Sequence, residues 1–301
     1  MKYIIIICCF TFCSAQVFSQ YDYTGSRSTA MSGAVTSGPG GSWSIYHNPA
    51  QLADLEGLEI NSGHSNIFGF EFLPYYTLGF LYNDWAINFE KLSTEMNGIE
   101  LSSELVIGVS KGFLLFKDNT SSIQLGTRIN FYDYSLGTSS GIEGDGSLGI
   151  SLGSGTTYGY DIGFQGALHD RYYIAYYLQN INSPTLGEGV GNQLPKSITI
   201  GLSYKPYNDL LTSVDINQLS GHTDSEIRFG IEYYLTKNFI LRTGLQSNPN
   251  RFSFGLSLVD LVILLGDAET NKLINFDISY AFITHHIMPT THQLALSYRL
   301  K

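Results

Sequence analysis

Beyond residue 13 the chain has no cysteine: all three, Cys8, Cys9 and Cys13, lie at the start. Everything downstream is therefore without a disulfide framework, a thiolate metal site or a cysteine nucleophile. Charge is also scarce. Charged residues make up 14% of the 301, where soluble domains average roughly 25%. The charge present leans acidic, 16 basic residues against 26 acidic, which speaks against nucleic acid as a partner. Long apolar runs are missing too. The best window, Leu256–Gly266, is short and broken by Asp260, so a transmembrane helix is excluded.

Residues 1–19 read as a secretory leader. Lys2 precedes an apolar run, Tyr3–Phe12, and small residues follow at Ser14-Ala15 and Ser19. The run is too short to span a bilayer. Cleavage after Ser19 leaves Gln20 first; cleavage after Ala15 is the alternative. Phe12 is too bulky for lipoprotein processing at Cys13.

What the chain does have is 21 Tyr, 18 Phe and 32 Gly. Aromatic girdles and a low charge suit a membrane β-barrel. Alternation with period two runs through the chain. Ile123, Leu125, Thr127, Ile129 and Phe131 share one face, with Gln124, Gly126, Arg128 and Asn130 on the other. Ile227, Phe229, Ile231 and Tyr233 oppose Arg228, Gly230 and Glu232. Such runs predict strands near 58–67, 73–82, 85–92, 103–113, 121–134, 155–168, 171–180, 196–206, 210–218, 225–235, 239–247, 251–259, 273–283 and 291–300. About fourteen is an even number, as single-chain bacterial barrels require. Backbone polar groups in hydrocarbon must be satisfied internally, so the strands must close. The fold class expected is all-β: a transmembrane antiparallel barrel over 58–301, in the outer membrane of a Gram-negative bacterium, in contact with its lipid.

Connections give a separate indication. Tight turns are expected at Asn83-Asp84, Leu114–Thr120, His169-Asp170, Pro206–Asp209 and Thr236–Asn238. Longer loops are expected over 93–102, 135–154 and 181–195. Short periplasmic turns and long outer loops are the barrel pattern. Two places fit poorly: Asn248–Asn250 is short for an outer loop, and Val259–Asn271 is long and apolar for a periplasmic turn.

Residues 20–57 are not barrel-like. They are rich in small residues and end in an Asn-Pro-Ala turn. A barrel of about fourteen strands has an interior that side chains alone do not fill, so this segment is expected in the lumen or at its mouth as a hatch or plug. Gly25, Arg27, Met31, Gly33, Ala34 and His47-Asn48-Pro49-Ala50 with Leu52 form a block that resembles the N-terminal segment of FadL-like outer-membrane proteins, in particular the PorV/PorQ group linked to type IX secretion. Ser32 stands where that group usually has Gly. The resemblance continues through Leu194–Pro206, Arg228–Gly244, Phe252–Leu256 and Phe276–Phe282. It implies an accessory in type IX secretion or cell-surface assembly, with a secretion translocon or exported proteins as partners. The FadL side of the likeness implies, as the alternative, a transporter of hydrophobic small molecules.

Inward-facing charges form a candidate lumenal network: Arg128, Asp161, Asp215, Arg228, Glu232, Arg242, Asp277 and Arg299. Both signs occur, so pairing across the lumen competes with binding of a ligand head group. The seven histidines make no metal pattern; His285, His286 and His292 fall in or near the last outer loop. Glycine-rich 137–155 lacks the Gly-Lys-Ser/Thr of a phosphate loop. No catalytic set can be assembled, and no enzyme, metal or cofactor is expected.

Overall fold

The computed structural model describes residues 23–96, 99–139, 141, 148–187, 193–220, 224–265 and 272–300. The leader and residues 20–22 lie outside the described residues.

Fourteen strands lie among the described residues. They are β1 (Leu58–Asn66), β2 (Pro74–Tyr82), β3 (Trp85–Met96), β4 (Ile99–Lys117), β5 (Ser121–Leu136), β6 (Ser154–Leu168), β7 (Tyr172–Gln179), β8 (Ser197–Tyr207), β9 (Leu210–Leu219), β10 (Ser225–Thr236), β11 (Phe239–Gln246), β12 (Arg251–Leu265), β13 (Lys272–Ile283) and β14 (Thr291–Leu300). Each pairs antiparallel with its sequence neighbours, and β14 returns to β1 with Arg299 opposite Glu59. The sheet is a closed barrel, so no edge is left unpaired.

The period-two pattern becomes two surfaces. On β2, Tyr76, Leu78, Phe80 and Tyr82 face outward and are exposed, while Tyr75, Thr77 and Leu81 are buried inside. On β6, Tyr158, Tyr160 and Phe164 face out and Asp161 and Gln165 face in. The outer wall is apolar, the inner one polar, as a lipid-facing barrel requires.

One end of the barrel carries tight turns. His169 and Asp170 both take left-handed φ, 54° and 49°, matching the twist of the strands they join. The Asp118 carboxylate accepts from the backbone N–H of Thr120 at 2.7 Å and Ser121 at 2.6 Å. The other end carries the longer connections, 137–153 and 180–196 among them.

Four expectations are corrected. The loop expected over 93–102 is mostly strand: Ser93 pairs Ser103 and Thr94 pairs Ser102. Its Ser, Thr and Glu residues read as loop but are strand residues standing on a wall with polar surroundings. The turn expected from Leu114 starts only after Lys117, because a bulge between Leu114 and Phe116 carries β4 further. In Val259–Asn271, residues 259–265 continue β12, and 266–271 lie outside the described residues. β12 bulges between Leu258 and Leu261 and runs on to Leu265, opposite Lys272. Pro206 lies inside β8, at a register shift between Tyr204 and Tyr207, where its missing N–H breaks no ladder bond. Residues 248–250 are indeed a tight turn between β11 and β12.

Candidate functional site

Residues 23–53 fill the middle of the barrel, nearly all buried. They form a short helix α1 (Ser26–Ala30) and two 3-10 turns, Ser42–Tyr46 and Pro49–Leu52. Helix α1 packs on β11 to β14, the first turn on β1 to β3, and the second on β4 to β6. The segment thus touches most of the wall.

Glycines on the inner wall make the room. Gly112 faces Leu52 and Ala53, Gly126 faces Pro49 and Ala50, and Gly163 faces Asn48. Across the lumen, Gly230 and Gly244 face Met31, and Gly255 faces Ala30. A Cβ at Gly126 or Gly244 would run into backbone, so only glycine lets the segment approach so closely.

Polar contacts fix the register. Pro49 holds Asn48 extended, at φ −134° and ψ 108°. The Asn48 side chain then accepts from Ala50 N at 3.0 Å and donates to Thr36 O at 2.9 Å. Gln51 donates to Thr36 O at 2.8 Å and Val35 O at 3.0 Å. Toward the wall, Trp43 Nε1 donates to Ser297 at 2.8 Å and Ser37 pairs with Ser203 at 2.6 Å. Ser32 takes φ 50°, a left-handed conformation glycine adopts freely. Its hydroxyl meets the Ser253 hydroxyl at 2.7 Å, a bond glycine could not make.

The other residues of the N-terminal block also pack here. Gly25, at φ 86°, lies against the Trp43 ring, Gly33 against Arg228, and Met31, Ala34 and Ala50 are fully buried.

The expected inward charges are all inside, in separate groups. Arg128 Nε meets Asp161 Oδ2 at 2.8 Å, and Arg128 Nη1 donates to Ile45 O of the N-terminal segment at 2.7 Å. Tyr177, Asn130 and Asn180 N also bind Asp161, at 2.9, 2.8 and 2.7 Å. Glu232 holds Arg242 at 2.6 Å and Arg27 at 3.1 Å. Arg299 sits among Asp277 at 2.8 Å, Glu59 at 3.3 Å and Asp260 at 3.4 Å. Asp215 and Arg228 are opposite one another on β9 and β10, yet bond elsewhere. Asp215 accepts from Thr36 N at 2.8 Å, and Arg228 meets Glu226 at 2.6 Å.

Sequence reasoning missed Glu90, Glu226 and Glu59, and named His47 only as part of the N-terminal block. Glu90 accepts from Tyr75 at 2.5 Å and Asn88 at 3.0 Å. Its signal was present, since Ala86, Asn88 and Glu90 share one parity on β3. His47 is held at 2.8 Å from Thr24 O. Burial, reinforced by Arg128, Arg27 and Arg228, lowers its pKa to about 3, so the imidazole is neutral.

The lumen is hollow on both sides of the segment. At the long-loop end lies a vestibule of about 800 Å³, lined by Ile67, Phe68, Leu73, Arg251 and His285 among others. It narrows past Leu92, Glu104 and Asn217 into a deeper cavity of about 90 Å³. At the tight-turn end a cavity of about 360 Å³ includes Arg27, Trp43, Glu232 and Arg299. Val35 and His47 line both the deep cavity and the one on the far side. There the partition is one layer of side chains thick.

A closed antiparallel barrel of fourteen strands, apolar outside and polar inside, defines a β-barrel of the membrane-spanning class. No protein-family model matches the chain, and no curated protein matches it in sequence. Solved structures do. The chain is similar to the toluene transporter TodX of Pseudomonas putida at TM-score 0.57 and 14% identity, over 94% of this chain and 99% of that one. A deltaS2 mutant of TodX, a monoaromatic hydrocarbon channel, gives 0.58 and 12%, over 93% and 99%. A FadL homologue from Pseudomonas aeruginosa gives 0.51 and 10%, over 91% and 97%. The chain has the FadL-type outer-membrane β-barrel fold.

Proposed function

We propose that the protein is a FadL-type transporter that admits a hydrophobic small molecule across the outer membrane of a Gram-negative bacterium. In this reading residues 20–57 are its hatch, the barrel spans 58–301, and the leader ending at Ala15 or Ser19 directs export. The long-loop end faces outside and the tight-turn end faces the periplasm. The observation that carries the reading is the partition: the lumen is hollow from both ends down to Val35 and His47. A static filler has no need of cavities meeting at one side-chain layer. The fold shared with TodX and a FadL homologue supports the same reading. No enzymatic step belongs to it.

The test is uptake by liposomes carrying the purified protein. Toluene should enter through the wild type, and Val35→Gly with His47→Gly should raise ion conductance at least tenfold in planar bilayers. No uptake, and no change in conductance, would overturn the reading.

The secretion accessory implied by the sequence resemblance is the second reading. What favours it is Leu148, Ile150 and Leu152, exposed in the 137–153 loop, where a partner protein could bury them. Gentle-detergent purification from native membrane, with mass spectrometry of bound proteins and lipids, separates the two. A secretion translocon or exported cargo supports the accessory; a stoichiometric small ligand without protein supports the transporter.

A further inference from the structure

The deep cavity below the vestibule has a mixed lining, in which Val35, Leu92 and Val106 stand beside polar side chains. Four of its side chains are tyrosines, Tyr46, Tyr75, Tyr132 and Tyr177, and Asn217 and Thr199 add an amide and a hydroxyl. Of its charged side chains, Arg128 is committed to Asp161, Arg228 to Glu226 and Glu90 to the donors Tyr75 and Asn88, and Glu104 at the neck is engaged as well. An ion entering here finds its counter-charges engaged, and an alkyl group leaves buried polar groups facing apolar surface. Hydroxyls satisfy both conditions, because each can donate and accept, and tyrosine rings offer flat apolar faces to a sugar's C–H groups. The cavity of about 90 Å³ has room for roughly six to nine waters, counting about 10–15 Å³ for each.

Resting on the transport reading, we propose that this cavity seats a neutral, hydroxyl-rich group the size of one sugar ring, so that the hydrophobic cargo is an amphiphile carrying such a group as its head. The larger vestibule, with Ile67, Phe68 and Leu73 in its wall, takes any apolar part.

The full mature chain in a polyoxyethylene detergent, which carries no sugar, is titrated by calorimetry with glucose, N-acetylglucosamine and toluene. A saturable heat is expected for a sugar. Thr199 donates to Asn217 at 3.2 Å, so Asn217→Leu and Thr199→Val should each weaken it at least tenfold with a small fall in melting temperature. Gln179→Cys supplies a readout of a different kind, by thiol labelling. Gln179 stands at the neck between cavity and vestibule, and bound sugar should slow thiol labelling there severalfold. If toluene enters liposomes but no sugar binds or protects, the inference falls and the transport reading stands. Both fall if neither toluene nor sugar crosses or binds.

Discussion

Glu232 holds two guanidinium groups at once, Arg242 from its own hairpin and Arg27 from the N-terminal segment. All three are largely shielded from water, so removing the shared anion leaves two cations facing each other. Glu232→Gln should therefore cost about 3–5 kcal/mol, read as a lower midpoint in denaturant unfolding and a higher bilayer conductance. His47 sets a pH dependence. Docked, its imidazole takes a proton only near pH 3; free, it does so at its ordinary 6.5. Between those values the undocked segment binds more protons. Docking thus has its full strength above pH 6.5 and weakens as pH falls toward 3. Conductance of the wild type should rise over that window, and His47→Gln should flatten the part of the rise that belongs to this group. An unchanged profile in the variant would remove His47 from the partition. Neither role was legible in the sequence. Arg27 and Glu232 are 205 positions apart, and nothing local says which inward cation a carboxylate will meet.

Among elements, the second 3-10 turn and its three wall strands are the clearest case of mutual fit. Gly112, Gly126 and Gly163 lie on adjacent strands and receive Leu52-Ala53, Pro49-Ala50 and Asn48 in turn. Gly126→Val should leave a barrel that still assembles, with its N-terminal segment displaced and conductance raised several-fold; a wild-type conductance would mean the turn docks without that socket. The strands themselves were largely legible, because a wall between lipid and polar lumen imposes period two on every crossing. Where reading failed, the cause was local. β3 and β4 run on through Ser93–Ser103 beyond the apolar band, so alternation of hydrophobicity stops before the strand does. β12 carries Asp260 at φ 53°, inside a bulge that breaks the parity.

At the scale of the whole molecule, lipid and lumen sort every side chain. Ile231 and Phe276 belong to the outward face, so an Arg at Ile231, midway along β10, should cost roughly 2–4 kcal/mol and one at Phe276, level with Tyr298 near the tight-turn rim, less, each reducing the heat-resistant folded fraction on gels. Normal assembly of both variants would reassign that face. Closure and barrel class followed from the sequence through one argument: exposed strand edges are not tolerated in hydrocarbon. The inner architecture did not, because the same polar residues would serve an open pore, a solid filling or a divided lumen. Only the three-dimensional register, with Val35 and His47 between two cavities, separates these. That register also bears on how the molecule is made. Tyr23 stands in the vestibule at the long-loop end, whereas Leu58 begins β1 at the opposite rim beside β14. The earliest-synthesised part of the lumen therefore runs the length of a ring that is sealed by the last strand to be made. It cannot be laid in sideways once that seam has joined. The wall must close around it, and a bulky fusion placed before residue 23 should delay or prevent the closing step, while one after β14 should not.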